Sequence, residues 1–113
     1  MTVFRAILIA FLILILAYTV ATVVRDGPNL IPIFLGDILA VGWPGQFNLD
    51  FILHLWLGAI WVAWRHGFST GGVALAIIGH PLGMIFFASY LLWASYQSKG
   101  DARRLVLGVH AGG

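Results

Sequence analysis

Three long apolar stretches account for most of this 113-residue chain, and the second and third each carry a histidine inside the apolar run. A soluble fold of this length has too little polar surface to cover such stretches. Lipid tails, by contrast, solvate Leu, Ile and Phe, while a helix satisfies its own backbone polar groups. The hydrophobic fraction of 61% and charged fraction of 9% lie far from the roughly 45–50% and 25% of soluble domains. The chain therefore reads as one all-α membrane domain over residues 1–113, with no room for a second core.

With no cysteine in the sequence, disulfides, thiolate metal sites and thiol catalysis are excluded. Six Lys/Arg against four Asp leave a net charge of +2. In so apolar a chain this balance reports on topology and on the anionic headgroups of membrane lipids, and gives no reason to expect nucleic acid.

The first run, Ala6 to Val24, is uncharged and flanked by Arg5 and by Arg25-Asp26-Gly27. It matches the ~20 residues needed to cross the hydrocarbon core. Thr19-Val20-Ala21 loosely resembles a signal-peptide cleavage site, but the apolar run exceeds the 7–15 residues of a usual signal core, so an uncleaved helix is expected. Residues 27–48 are apolar yet interrupted by Pro28, Pro32, Gly36, Asp37, Gly42, Pro44 and Gly45. That segment suits a short interfacial or re-entrant helix over about 30–40, with Trp43-Pro44-Gly45 as a turn. A second transmembrane helix is expected over about 49–64, capped by Asn48 or Asp50, and a third over about 73–96. A basic tail, 97–113, follows, in which Asp101 can cap a short amphipathic helix. The expected fold is thus three transmembrane helices with a short helix between the first and second.

On that topology the 25–48 loop and the tail share one face and carry Arg25, Lys99, Arg103 and Arg104, against Arg5 and Arg65 on the other. The positive-inside rule then makes the loop and C-terminus cytoplasmic and places the N-terminus outside.

Gly72, Ala76, Gly79 and Gly83 follow one another at helical spacing and form a stripe of small residues, the pattern that lets helix backbones approach closely in lipid. Within it, Pro81 removes a backbone N–H and is expected to kink the third helix beside His80. An imidazole at that depth is a structural hydrogen-bonding group, a proton carrier, or an axial ligand to haem or bacteriochlorophyll. Asp50 and His54 are four apart, so the carboxylate can orient the imidazole. On straight helices His54 lies ~8 Å and His80 ~22 Å from the cytoplasmic end, which argues against one haem held by both. Trp43, Trp64, Trp93 and Tyr96 suit interface belts; Trp56 and Trp61 lie deeper.

The chain holds no acid in the middle of a span, no HExxH, no phosphate-cradling glycine loop and no nucleophile elbow. No catalytic residue and no metal centre is therefore assigned. The expected role is a small non-catalytic subunit or assembly partner of a larger membrane complex. Its partners would be membrane lipids and other integral membrane subunits, or further copies of itself. A cofactor-binding subunit using His80 or His54 is one alternative and a small oligomeric channel or transporter another.

Residues 25–66 resemble a family of uncharacterised bacterial three-helix membrane proteins, known only as a domain of unknown function. The resemblance rests on the Asp26-Gly27-Pro28-Asn29-Leu30 turn, the broken segment Ile31–Ala40, the Phe47-Asn48-Leu49-Asp50 opening and the Arg65-His66-Gly67 exit. Leu82-Gly83 and Phe86–Leu91 match more weakly. The resemblance implies the architecture and a bacterial inner-membrane location; it supplies no activity.

Overall fold

The computed structural model describes residues 1–112, which contain no strand. Six helices follow in order: α1 (Thr2–Asp26), α2 (Leu30–Leu39), α3 (Trp43–Arg65), α4 (Thr70–Gly79), α5 (Met84–Gln97) and α6 (Ala102–Leu107). Short 3₁₀ turns lie at His80–Leu82 and Gly108–Ala111. Two helices, α1 and α3, are long and apolar enough to cross a membrane. At ~1.5 Å per residue they extend ~37 and ~34 Å, whereas α4 and α5 reach only ~15 and ~21 Å.

The third expected span, 73–96, is not one helix. Pro81 interrupts the backbone ladder, a 3₁₀ turn follows, and Gly83 adopts φ +59°, ψ −130°, a conformation that side chains strongly disfavour. The chain reverses there. His66, which precedes α4, lies ring to ring with Tyr90 and Trp93 near the end of α5, at 5.9 and 6.1 Å between centroids. Therefore α4 and α5 form a helical hairpin whose open end lies beside Arg65 and whose bend lies beside Phe51 and Leu55, halfway along α3. Small residues make this possible. A Cβ on Gly79 would overlap the Phe86 ring, and one on Gly72 would press on His66 Cβ. Gly72, Ala76 and Gly79 thus pack as a buried stripe on α4, but Gly83 belongs to the reversal and not to the same helical face.

The reversal also changes where the ends lie. Residues Phe4, Arg5, Leu8, Leu12, Ile15 and Thr19 form the only partly or fully covered stripe of α1, and α1 packs along α5. Arg5 donates from Nε to Ser95 Oγ and from Nη2 to Ser95 O, both at 2.9 Å. The N-terminus and the tail therefore share one end of the body, contrary to their expected placement on opposite faces.

Helix α3 begins at Trp43, six residues before the expected start. Trp43-Pro44-Gly45 is its first turn rather than a separate one, since proline at that position lacks only an N–H that the helix does not need. Gly45 lets α2 lie directly against α3, because a Cβ there would overlap the Asp37 carbonyl. Asn48, expected as a cap, instead donates to Phe34 O at 3.3 Å and approaches Asp37 Oδ2 at 3.5 Å. Helix α2 has no buried residue. Asp101 caps α6 as expected, accepting from the Arg103 and Arg104 N–H groups.

The buried core is small and lies at the tail end, where Val62 and Ala63 of α3, Ala76 of α4, Tyr90 and Ala94 of α5, and Leu105 of α6 meet. Beyond Thr19, α1 is unpartnered. Every residue from Val20 to Asp26 is exposed.

Candidate functional site: a histidine cleft and a cationic cap

The hairpin bend and the middle of α3 enclose an apolar cleft of about 310 Å³, at the small end of ligand sites. His54, His80, Phe51, Gly58, Phe86 and Phe87 are among its walls. Helix geometry explains why two histidines separated by 26 positions meet there. Because α4 returns at Gly83 instead of crossing, His80 ends up at the level of Trp56, with 4.5 Å between ring centroids. The depth difference expected from straight helices does not separate them.

The two rings are held differently. His54 Nδ1 lies 2.7 Å from Asp50 O and 3.6 Å from Asp50 Oδ1. A carbonyl can only accept, so Nδ1 carries a proton, and in the neutral ring Nε2 is the nitrogen with the lone pair. The Asp50 backbone, more than its carboxylate, thus orients His54, and both side chains stay largely exposed. His80 Nδ1 is fully enclosed and has no hydrogen-bond partner, alone in this among the described side chains. A buried polar atom left unpaired is costly. No group of three metal-ligating side chains occurs among the described residues.

A second polar centre lies at the tail end and holds residues that the sequence reading passed over. Arg65, counted from the sequence as a charge on the face opposite the tail, is only 5% exposed. It donates from Nε to Leu105 O at 2.6 Å and from Nη1 to the Tyr90 hydroxyl at 3.1 Å. His66 Nε2 meets the same hydroxyl at 2.7 Å. Trp61, read from the sequence as a deeper tryptophan, spends its indole N–H on Val106 O at 3.1 Å, and His110 stacks on Trp64 at 4.2 Å. Arg103 bonds Ala111 O. These bonds lock the tail across the ends of α3 and α5. Apart from Arg103 with Ala111, they join residues 24 to 46 positions apart, so no local pattern could have revealed them.

His66 follows α3 and sits outside the long apolar helices. Burial, and then the charge of Arg65, hold its pKa below 6.5. The unfolded chain thus binds the proton more readily, so stability from neutral His66 is complete above pH 6.5 and fades as pH falls through the depressed value. Melting of the purified protein should drop on acidification past pH 6.5, and less so for His66→Gln. Identical pH profiles for the two proteins would contradict this.

Comparisons with protein-family models, curated proteins and solved structures return no match for this chain.

Proposed function

We propose that the chain is a small integral membrane protein that serves as a non-catalytic subunit or assembly partner of a larger membrane complex. Helices α1 and α3 cross the bilayer, and the α4–α5 hairpin enters from one side and returns to it. Its bend lies halfway along α3, as suits a re-entrant element in a hydrocarbon core ~30 Å thick. Only 6% of the most apolar window of α1 and 11% of that of α3 is buried within the protein, whereas a soluble protein buries its apolar helices. The bonding of Arg5 to Ser95 supports retention of α1 as a permanent helix.

This topology sharpens the charge asymmetry. Arg5, Arg65, Lys99, Arg103 and Arg104 gather at the tail end, leaving Arg25 alone of the six Lys/Arg at the other. By the positive-inside rule the tail end is cytoplasmic, and the N-terminus with it. The absence of native cysteine permits single-cysteine labelling. In intact cells an impermeant maleimide should label Val41→Cys but reach Thr2→Cys and Lys99→Cys only after lysis. Labelling of Thr2→Cys and Lys99→Cys from opposite sides would remove the re-entrant reading.

The observation that carries the assembly role is the unpartnered outer half. The hairpin stops halfway, α1 packs along α5 without comparable contact to α3, and α2 buries nothing of itself. A helix from another subunit, or from a second copy, would fill that half. Extraction in mild detergent should therefore yield a complex of fixed stoichiometry on native gels. A protein that runs as a bare monomer at every detergent concentration would sink the subunit role. The resemblance of residues 25–66 to bacterial three-helix proteins makes the bacterial inner membrane the proposed location.

The histidine cleft favours a second reading, a subunit that ligates haem or bacteriochlorophyll through His80 or His54. Both rings line one cavity and His80 lacks an internal partner. Such a protein would purify with a visible absorption band that His80→Ala or His54→Ala diminishes. Absorption confined to the aromatic band would leave the first reading alone.

A further inference from the structure

Arg65 is a permanently charged group that the fold takes almost entirely out of solvent, and the described residues supply it with no anion. Its five N–H donors are only partly used, by the Leu105 carbonyl through Nε and the Tyr90 hydroxyl through Nη1, both neutral. Among the described residues no carboxylate lies within ion-pair distance of it; the ion pairs are Arg25–Asp26, His54–Asp50 and Arg104–Asp101. Buried charges are ordinarily paired, because desolvation without a counter-charge costs several kcal/mol. The Nη2 group has no acceptor among the described residues and is not one of their enclosed unpartnered atoms, of which His80 Nδ1 is the sole example, so it keeps an accessible edge. Arg65 lines a cavity at this end.

That cavity, about 500 Å³, lies between the ends of α3 and α5 and the tail. Besides Arg65, its walls include His66, Trp93, Gln97, Ser98 and Arg104, and no carboxylate is among them. The nearest acid in sequence, Asp101, is engaged by Arg104 at 3.7 Å and by the first-turn N–H groups of α6. A planar guanidinium with free N–H groups, a second arginine and the Gln97 amide together match the oxygens of a phosphate.

We infer that this cavity binds a phosphate-bearing anion, with Arg65 as its central contact and Arg104 at its mouth. The inference builds on the proposed topology, in which this end meets the cytoplasmic leaflet. There the phosphate belongs to an anionic lipid headgroup, with the indole of Trp93 at headgroup depth beside it. Burial of Arg65 is then explained by the lipid completing the ion pair.

The full chain, reconstituted in nanodiscs of phosphatidylcholine with or without phosphatidylglycerol, tests this by native mass spectrometry and thermal melting. Wild type should retain phosphatidylglycerol in several-fold preference over phosphatidylcholine and melt higher when it is present. Arg104→Gln should weaken that preference and Arg65→Lys should largely remove it, because a lysine cannot present the planar fork. Arg65→Lys keeps a cation at the buried position and Arg104→Gln leaves Arg65 untouched, and circular dichroism checks that both variants fold. Inorganic phosphate, titrated into phosphatidylcholine nanodiscs, identifies the other source: stabilisation by phosphate with no lipid preference would overturn the lipid assignment while retaining the anion site. Equal lipid retention by wild type, Arg65→Lys and Arg104→Gln, with no response to phosphate, would overturn the site itself. Cysteine labelling at residues 2, 41 and 99 separates that outcome from a failure of the topology. Tail-end labelling from outside would reverse the leaflet but not the requirement for Arg65.

Discussion

Replacing Gly83 with leucine should strongly destabilise the hairpin at its bend. The backbone there has φ +59°, ψ −130°, and a side chain in this region costs about 1–3 kcal/mol. A Cβ would also stand 3.1 Å from the Phe51 ring, and overpacking of this kind adds about 1–3 kcal/mol. The sum, about 2–6 kcal/mol, is comparable with a large part of a small domain's stability. Thermal melting in detergent should fall sharply, and Gly83→Ala should retain most of the backbone cost. Insertion should persist, since leucine makes the segment more apolar. A near-wild-type melting temperature for Gly83→Leu would mean that the third apolar stretch crosses as a continuous helix, in which position 83 has ordinary helical geometry.

Substitution of Arg65 by methionine should release the tail. The change leaves the Leu105 carbonyl without its donor and the Tyr90 hydroxyl without one of its two partners. Each buried group left unsatisfied costs about 1–3 kcal/mol, so a loss of about 2–4 kcal/mol is expected. The comparison is Arg25→Met, whose side chain is 88% exposed and pairs with Asp26 at 3.6 Å; surface pairs are worth only about 0–1 kcal/mol. Limited proteolysis should cut the Arg65→Met tail between Lys99 and Arg104 far faster than that of wild type or Arg25→Met. If all three tails resist equally, the tail is held by its apolar contacts at Leu105 and Ala111 and not by the arginine.

The apolar composition, the absence of strands, the long first helix, the short helix at 30–39 and the Asp101 cap were all legible in the residues. Each follows from local chemistry: run length, proline placement and the N–H groups that a cap must satisfy. The stripe Gly72, Ala76, Gly79 was also legible as a close-packing surface, because small side chains carry that property wherever they sit. What it packed against was not. In a stretch as uniformly apolar as 73–96, a straight span and a hairpin share one hydrophobicity pattern, and His80-Pro81 with Gly83 is compatible with a kink or with a full reversal. The choice rests on tertiary contacts: Phe86 against Gly79 across the bend, and the more distant pairs Phe51 against Gly83 and Tyr90 against His66.

The same limit governs the candidate sites. His54 and His80 were visible as the two chemical groups within apolar runs, but their meeting in one cleft depends on the reversal. Arg65 looked like a boundary charge, since position in a sequence records proximity to a helix end and says nothing of a tail folding over it. Sequence determined that this chain belongs with apolar helices and which side chains can act there, because those are properties of residues and their near neighbours. Tertiary structure decided which end each helix returns to and which charge is buried, because those depend on pairings across 24 to 90 positions that no local period encodes.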